Sequence, residues 1–275
     1  MRSIADVKPV QQAMPGSSVV FSIYSDLSAV TSTLVETADV SSVALGNPSQ
    51  VTVTLQEYGS AVTTTKKLNL TSFNDVDAAL ANIIAYNAAD SIDQVVASVL
   101  TAGTNVIYAG TSATNTNGIG SGDTIAVADI REAVVQLRTN KALPRIGELY
   151  AAYLHPRQSA DLRAETGTGG FQELSKYVDR TPFVAGAVGV IEGAFVVETP
   201  RVPFAANTNT VNVYKAVIAG REALAEAMAQ DITTVIGPEI DALRRFRTIG
   251  WYYFGGFNRL REAALYRIES AASIN

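Results

Sequence analysis

A single histidine and no cysteine among 275 residues limit the chemistry open to this chain. Without thiols there are no disulfides, thiolate metal sites, cysteine nucleophiles or cysteine-bound iron–sulfur clusters. One imidazole cannot build a multi-histidine metal site. A Ser–His–Asp triad would have to use His155, and no Gly-x-Ser-x-Gly elbow occurs to present a serine to it. His155-Pro156 follows the apolar run Leu149–Leu154, a setting that suits helix entry better than catalysis.

The remaining candidates are weaker. Asp75/Asp77 and Asp90/Asp93 are carboxylate pairs without calcium-loop spacing around them, and read as a solvated face or as contacts for arginine. The stretches Asn117-Gly-Ile-Gly-Ser-Gly-Asp123 and Thr166-Gly-Thr-Gly-Gly170 lack the Lys-Ser/Thr of a phosphate loop and read as flexible connectors. The arginines carry more information. Residues 241–275 hold six arginines against Asp241, Glu262 and Glu269, a local charge of +3 in a chain of −5, so the first 240 residues carry −8. Arg244-Arg-Phe-Arg247 and Trp251-Tyr-Tyr-Phe254 could stack nucleic-acid bases. A strand with one polar and one buried face explains the alternation equally well, and favours salt bridges between subunits. No enzymatic constellation survives, and no cofactor or metal is expected.

The elements that would hold these residues follow from composition and period. Hydrophobic residues make up 47% and charged residues 17%, a globular balance with a substantial core. A pI near 5.0 excludes a broad basic face that holds DNA by counterion release. Residues 1–15 lack the apolar region of a targeting signal, and no run approaches the ~18 apolar residues of a membrane span. The chain therefore reads as soluble and cytoplasmic in origin.

Residues 1–16 read as an extended arm. Ser17–Tyr24 and Val51–Leu55 read as strands, and Ala61–Leu70 as a further strand after an interruption at Tyr58-Gly59-Ser60. Between the first two, Ser25–Gln50 is rich in Ser, Thr and Val, with Leu27, Leu34 and Leu45 its only bulky aliphatics without β-branching. Such a stretch suits an exposed excursion that a partner orders. Ser72-x-x-Asp75 resembles a capping box. Beyond it Leu80, Ile84, Ala88, Ile92, Val95 and Val99 recur at helical spacing, which predicts a helix over about 74–102 ended by Gly103. A second helix is predicted over 126–140 on Ile130, Ala133, Val134 and Leu137, stopped by Pro144. A buried strand at 149–154 and a short helix from His155-Pro156 to Ala164 follow. Val188–Glu198 and Val211–Ala219 read as strands around a loop at 199–210. The tail reads as two strand-like runs about Gly255-Gly256.

Taken in order, these segments resemble tailed-phage major capsid proteins. The likeness runs through Val51-Thr-Val-Thr-Leu-Gln-Glu-Tyr-Gly-Ser-Ala-Val62, Leu68-Asn-Leu-Thr-Ser-Phe73 and Ala102-Gly-Thr-Asn-Val-Ile-Tyr-Ala109. It continues through Leu154-His-Pro-Arg157 with Asp161-Leu-Arg163, Gly193–Arg201, Arg245-Phe-Arg-Thr-Ile-Gly-Trp251 and Ala264-Leu-Tyr-Arg-Ile-Glu-Ser270.

The resemblance implies an α+β chain with the Hong Kong 97 phage-type capsid fold. It places an N-arm at 1–16, an E-loop at 17–70, and a P-domain at 71–144 with its spine helix at about 74–102. An A-domain at 145–240 and closing P-domain strands at 241–275 complete the chain. The implied function is a non-enzymatic major capsid protein whose hexamers and pentamers form an icosahedral virion shell around double-stranded DNA, without sequence-specific binding. Portal, and scaffolding or decoration proteins, would be its partners. An encapsulin-type compartment shell is the alternative within the fold, and a hydrolase using His155 the alternative outside it. Lys66 and Lys67 carry no signature of an isopeptide crosslink. The subunit-interface residues expected on this reading are Leu27, Leu34, Glu36, Glu57, Asp90, Asp93, Arg244, Arg245 and Arg247.

Overall fold

A computed structural model describes residues 1–10, 16–24, 27–37, 39–40, 42–72, 76–110, 113–166, 189–239 and 241–274. Residues 73–75 of the proposed capping box and most of the Gly-rich stretch 166–170 lie outside them.

The chain begins with a short 3-10 turn and strand β1 (Ala5–Pro9), then β2 (Ser18–Ile23), β3 (Ser49–Thr54), β4 (Gln56–Thr65) and helix α1 (Lys66–Thr71). The long helix α2 (Val76–Thr101) follows, then β5 (Val106–Tyr108), α3 (Val127–Thr139), β6 (Tyr150–Leu154) and α4 (Pro156–Ala164). After it come β7 (Val190–Ile191), β8 (Ala194–Glu198), β9 (Phe204–Ala206), β10 (Asn212–Ala219), β11 (Leu224–Glu239), β12 (Phe246–Arg259) and β13 (Leu265–Ser270). The helices predicted at 74–102, 126–140 and 156–164 are all present.

Among the described residues three sheets organise the strands. One has the order β1-β11-β12-β4, with β1 parallel to β11 and the other pairs antiparallel. A second runs β5-β13-β10-β6-β8-β7, with β9 added alongside β10. The third is the isolated hairpin β2-β3. The chain's two ends thus meet in the body: the first strand extends the sheet built by the last long hairpin.

Helix α2 joins the layers. Ile84, Ala88, Ile92, Val96 and Leu100 are all buried, a spacing of four throughout. At 3.6 residues per turn a four-residue repeat drifts round the helix. β12 accompanies the helix along this stripe, from the Trp251 indole N–H donating to Asn87 at 2.8 Å to Arg259 at Val99. This drift is why burial falls on Val96 and Leu100 while the expected Val95 and Val99 are only partly covered.

The last turn of α2 carries no basic residue. Two arginines of the tail serve it instead. Arg259 donates to Val99 O at 3.1 Å, and Arg267 donates to Gly103 O at 3.3 Å and to Thr101 O. Cations at a helix C-terminus satisfy its free carbonyls and oppose the dipole. Gly103, expected to end the helix, lies two residues beyond it in close packing: a Cβ there would stand 3.2 Å from Leu265.

Four local expectations are corrected. β4 runs unbroken through Tyr58-Gly59-Ser60, because Gly59 lies against Trp251, whose carbonyl oxygen would be 2.8 Å from a Cβ. The break falls at Leu55, where the chain passes from the hairpin into the body. Residues 66–71 are helix and not strand, since the Thr65 hydroxyl accepts the Leu68 N–H and caps a new turn. Gly255-Gly256 lies inside β12, not at a turn. The Gly-rich segment 117–123 is an ordered loop: Ile119 is fully buried with Val213 and Ala271, and the Gly120 N–H donates to Asp123 at 2.8 Å.

Candidate subunit-contact surfaces

The excursion between β2 and β3 stands on a small base. Val19, Val53 and Leu55 bury themselves against Ala225 and Ala227 of β11. The Asn258 side-chain amide donates to Thr52 O at 2.9 Å. Above that base the chain leaves the body. Leu27 is 65% exposed and Leu34 75%, and Val30, Val35, Val40, Val43 and Leu45 are exposed as well. Glu36 lies among them in a turn, also exposed. Aliphatics in such number without cover from the described residues form an apolar surface of the kind that marks an interaction site. Within the segment expected to be E-loop, 17–70, only β2, β3 and the intervening loop stand out; β4 and α1 belong to the body.

The arginines at the start of β12 lie at the other end of that strand. Arg244 adopts a left-handed backbone, φ 54°, in the turn between β11 and β12. Arg245 closes the turn and pairs with Asp241 at 2.7 Å. Only Arg247 lies within the strand, opposite Thr64 of β4. Arg245 and Arg247 therefore do not share a strand face as the simple alternation predicts. All three are exposed. Glu57, on β4 opposite Phe254, is exposed too.

Asp90 and Asp93 are engaged within their own chain. Arg201 pairs with Asp90 and also donates to the Tyr86 hydroxyl at 2.9 Å. The Met1 ammonium meets Asp93 at 3.0 Å. Sequence reasoning missed this role for the first residues, and missed Glu226 altogether. Glu226 is wholly buried on β11, where Arg2 reaches it at 2.6 Å and the Tyr253 hydroxyl donates to it at 3.0 Å. The sequence carried no signal for it, because Leu224–Ala229 reads locally as helix; the carboxylate is buried only because these partners meet it.

His155 behaves as a structural residue. Its Nδ1 accepts the Arg157 N–H at 3.2 Å, and Gln158 returns a carbonyl to the His155 N–H. Its ring packs 4.7 Å from that of Tyr214. Burial and then the Arg157 charge hold its pKa below the ordinary imidazole value, so the ring is neutral at pH 7. Among the described residues no cluster of His, Asp and Glu could hold a metal ion, and no helix is long and apolar enough to cross a membrane.

Comparison with known proteins agrees with this geometry. A family described as phage capsid protein matches residues 3–274. No curated protein matches the chain. Among solved structures, the capsid of the cyanophage P-SCSP1u is similar at 18% identity and a TM-score of 0.74, over 98% of this chain and 87% of that one. The capsid of Ralstonia phage GP4 is similar at 15% identity and TM-score 0.77, with the same coverage. The head of the Helicobacter pylori bacteriophage KHP40 matches at 15% identity and TM-score 0.71, over 98% of this chain and 90% of that one. The α+β architecture is the Hong Kong 97 phage-type capsid fold that the sequence implied.

Proposed function

Since the chain belongs to the phage capsid protein family, which makes it a structural protein of the virion capsid, we propose in addition that its copies form hexamers and pentamers of an icosahedral shell around double-stranded DNA. The observation that carries this reading is the β2–β3 excursion, an apolar segment that the described residues of its own chain leave uncovered. A monomer gains nothing from such a surface, whereas a neighbouring copy can bury it. We assign the E-loop role to this segment and the spine to α2; sheet membership further suggests moving α3 from the P-domain expected at 71–144 to the A-domain, beside the second sheet and α4, and β11 from the A-domain expected at 145–240 to the P-domain, beside β12. Leu27, Leu34 and Glu36 then face a neighbour, as do Glu57 and the arginines 244, 245 and 247. A net acidic subunit can surround DNA without adhering to it along a broad face. Portal protein, with scaffolding or decoration proteins where the phage uses them, and synthesis in the host bacterial cytoplasm belong to the same reading.

The test is assembly. Purified full-length protein should form capsomers or closed particles in light scattering and electron microscopy. Deleting residues 28–46 should leave a folded subunit that forms no shells, because the hydrophobic cores lie elsewhere. Closed particles of normal size from the deleted chain would overturn the assignment of this segment.

A further inference from the structure

We propose that a crevice of the body, walled by the turn after α3, the turn before β11 and the end of β12, binds an extended segment of a different protein in which a carboxylate stands beside a large apolar side chain. The inference goes beyond the shell reading and does not depend on it.

The crevice has a volume of about 570 Å³, within the ~300–1,000 Å³ of sites that hold a ligand. Leu143 and Leu260 supply apolar wall on the body side, and Phe21 and Ile23 of β2 supply it on the other. Lys141, Glu222 and Arg261 line it with them. The body side is held in place by its own hydrogen bonds. The Arg221 N–H donates to Leu143 O at 2.8 Å, the Leu260 N–H to Ala223 O at 3.1 Å, and the Glu222 N–H to Asp6 at 2.9 Å. A wall fixed in this way need not be ordered when a partner arrives, which lowers the cost of binding.

Two of the charged residues stand where the backbone favours glycine. Lys141 has φ 53° and Glu222 φ 59°. Lys141 is the left-handed residue of a Schellman ending to α3: its N–H donates to Arg138 O at 3.0 Å, and the Ala142 N–H donates to Leu137 O at 3.0 Å. Glycine takes such a position without the Cβ strain that any other residue carries. The chain accepts that strain at both turns, and at both the residue is a long charged one lining the same crevice. Strain of this kind gathers at binding sites.

Charge and exposure select the occupant. Among the described residues Lys141 has no ion pair, and Arg261 has one, with Glu222 at 3.9 Å. A carboxylate is what these two cations lack, and an apolar neighbour would cover Leu143, now 60% exposed. A phosphate chain would gain nothing from the aliphatic walls and would be repelled by Glu222. Tyr24, also at the crevice, is 58% exposed. Walls so open do not enclose a small molecule as ligand pockets do, but a peptide can run through them. An apolar centre with tyrosine and arginine around it is the usual composition of a protein contact.

Selection of a displayed random heptapeptide library on the unassembled, full-length subunit tests this. Enriched peptides should carry Asp or Glu next to Leu, Ile or Phe. A synthetic peptide of the enriched sequence should lose affinity by about tenfold or more when its acid is changed to the amide, and equally on Lys141→Gln with Arg261→Gln. Lys141→Gly guards against misfolding as the cause: it removes the strain, so it should be at least as stable as wild type in urea and yet bind the peptide more weakly. Absence of acidic peptides from the selection, or undiminished binding to the Lys141→Gly chain, would overturn the proposal and leave the shell reading untouched, since particle formation is measured separately. Peptide binding that is lost once subunits assemble would assign the crevice to a second copy, and overturn it. So would a single strand of about twelve nucleotides that binds wild type and neither variant, in favour of nucleic acid.

Discussion

Arg2 and Glu226, 224 positions apart in sequence, form an ion pair of 2.6 Å that fastens the start of the chain to the middle of β11. Glu226 is wholly buried, and Arg2 also pairs with Asp231 at 2.9 Å and stacks over the Tyr253 ring at 5.3 Å. The neighbouring strand β1 continues the attachment: Asp6 binds Arg145 at 2.6 Å and accepts the Glu222 N–H. The first nine residues are thus part of the body and not a free arm. Removing one member of a buried pair strands the other's charge, at a cost of about 3 kcal/mol or more. Arg2→Ala should therefore destabilise the unassembled subunit by about that amount in urea unfolding. Adding Glu226→Gln should recover part of the loss, since the amide needs no counter-ion. A double variant no more stable than Arg2→Ala would show that Glu226 does not require Arg2.

A comparable dependence holds at the C-terminal end of α2. Arg267 pairs with buried Glu269 at 2.8 Å while it satisfies the helix's last carbonyls. Glu269 also accepts the Thr116 hydroxyl at 2.6 Å, which ties the Gly-rich loop to the same cluster. Arg267→Ala should cost about 3 kcal/mol. Arg267→Lys should restore only part, because an ammonium cannot reproduce the planar fork that spans carbonyls and carboxylate. Equal stability of the lysine variant and wild type would reduce the role of Arg267 to its charge.

Asp129, three residues into α3, predicts a pH effect. Burial raises its pKa from 3.8 to about 6, with Glu132 and Glu165 nearby adding to the rise and the Ala126 N–H, 2.9 Å away, opposing it. Between those two values the native state holds a proton that the unfolded chain releases. Stability from this group is thus full in acid and falls as pH rises through that window. His155 has the opposite sign: its depressed pKa gives stability that is full above 6.5 and lost as pH falls. Asp129→Asn cannot titrate and should be more stable than wild type at pH 7, by about 1 kcal/mol after solvent screening. The advantage should vanish near pH 4, as followed by thermal melts of unassembled protein. A difference that does not change with pH would show that Asp129 is ionised throughout.

Helices were the legible part of this fold. Ile130, Ala133, Val134 and Leu137 announced α3, and His155-Pro156 announced α4, because one buried face with a cap leaves a local pattern in sequence. The hairpin was legible from β-branched strands flanking a stretch poor in core residues. β11 was not: its first four residues are all buried, so no alternation appears, and Leu-Ala-Glu-Ala-Met-Ala favours helix when read locally. Only pairing with β1 and β12 on either side makes it a strand, and such pairing is invisible at short range. The arginines split the same way. Their abundance in the tail was plain, but Arg259 and Arg267 turn inward to α2 while Arg244, Arg245 and Arg247 stay at the surface, a division set by which ends of β12 and β13 approach the helix.

Gly256 sets the seat of the loop-bearing hairpin. A Cβ there would lie 2.1 Å from Thr54 O and 3.0 Å from the Thr54 carbonyl carbon. Both are backbone atoms at the foot of β3, so no side chain can swing aside to relieve the clash. The neighbouring Gly255 is equally confined, with Ala227 O at 2.7 Å, so β12 cannot shift the other way toward β11. Gly256→Ala must therefore push the hairpin off its base on Ala225 and Ala227. Overpacking of this kind costs about 1–3 kcal/mol, which a body with its main core elsewhere should survive. The larger effect is directional: a small tilt at the foot is carried along six residues of β3, about 20 Å at 3.3 Å per residue, and moves the loop away from where a neighbour would receive it. The variant should keep wild-type circular dichroism, exchange amide hydrogens faster in β2 and β3, and form few or no particles. Gly122→Ala provides the control, since a Cβ there meets nothing within 4 Å. It should leave folding, exchange and assembly unchanged. Wild-type particle yield from Gly256→Ala would show that the angle of the hairpin does not govern contact between subunits.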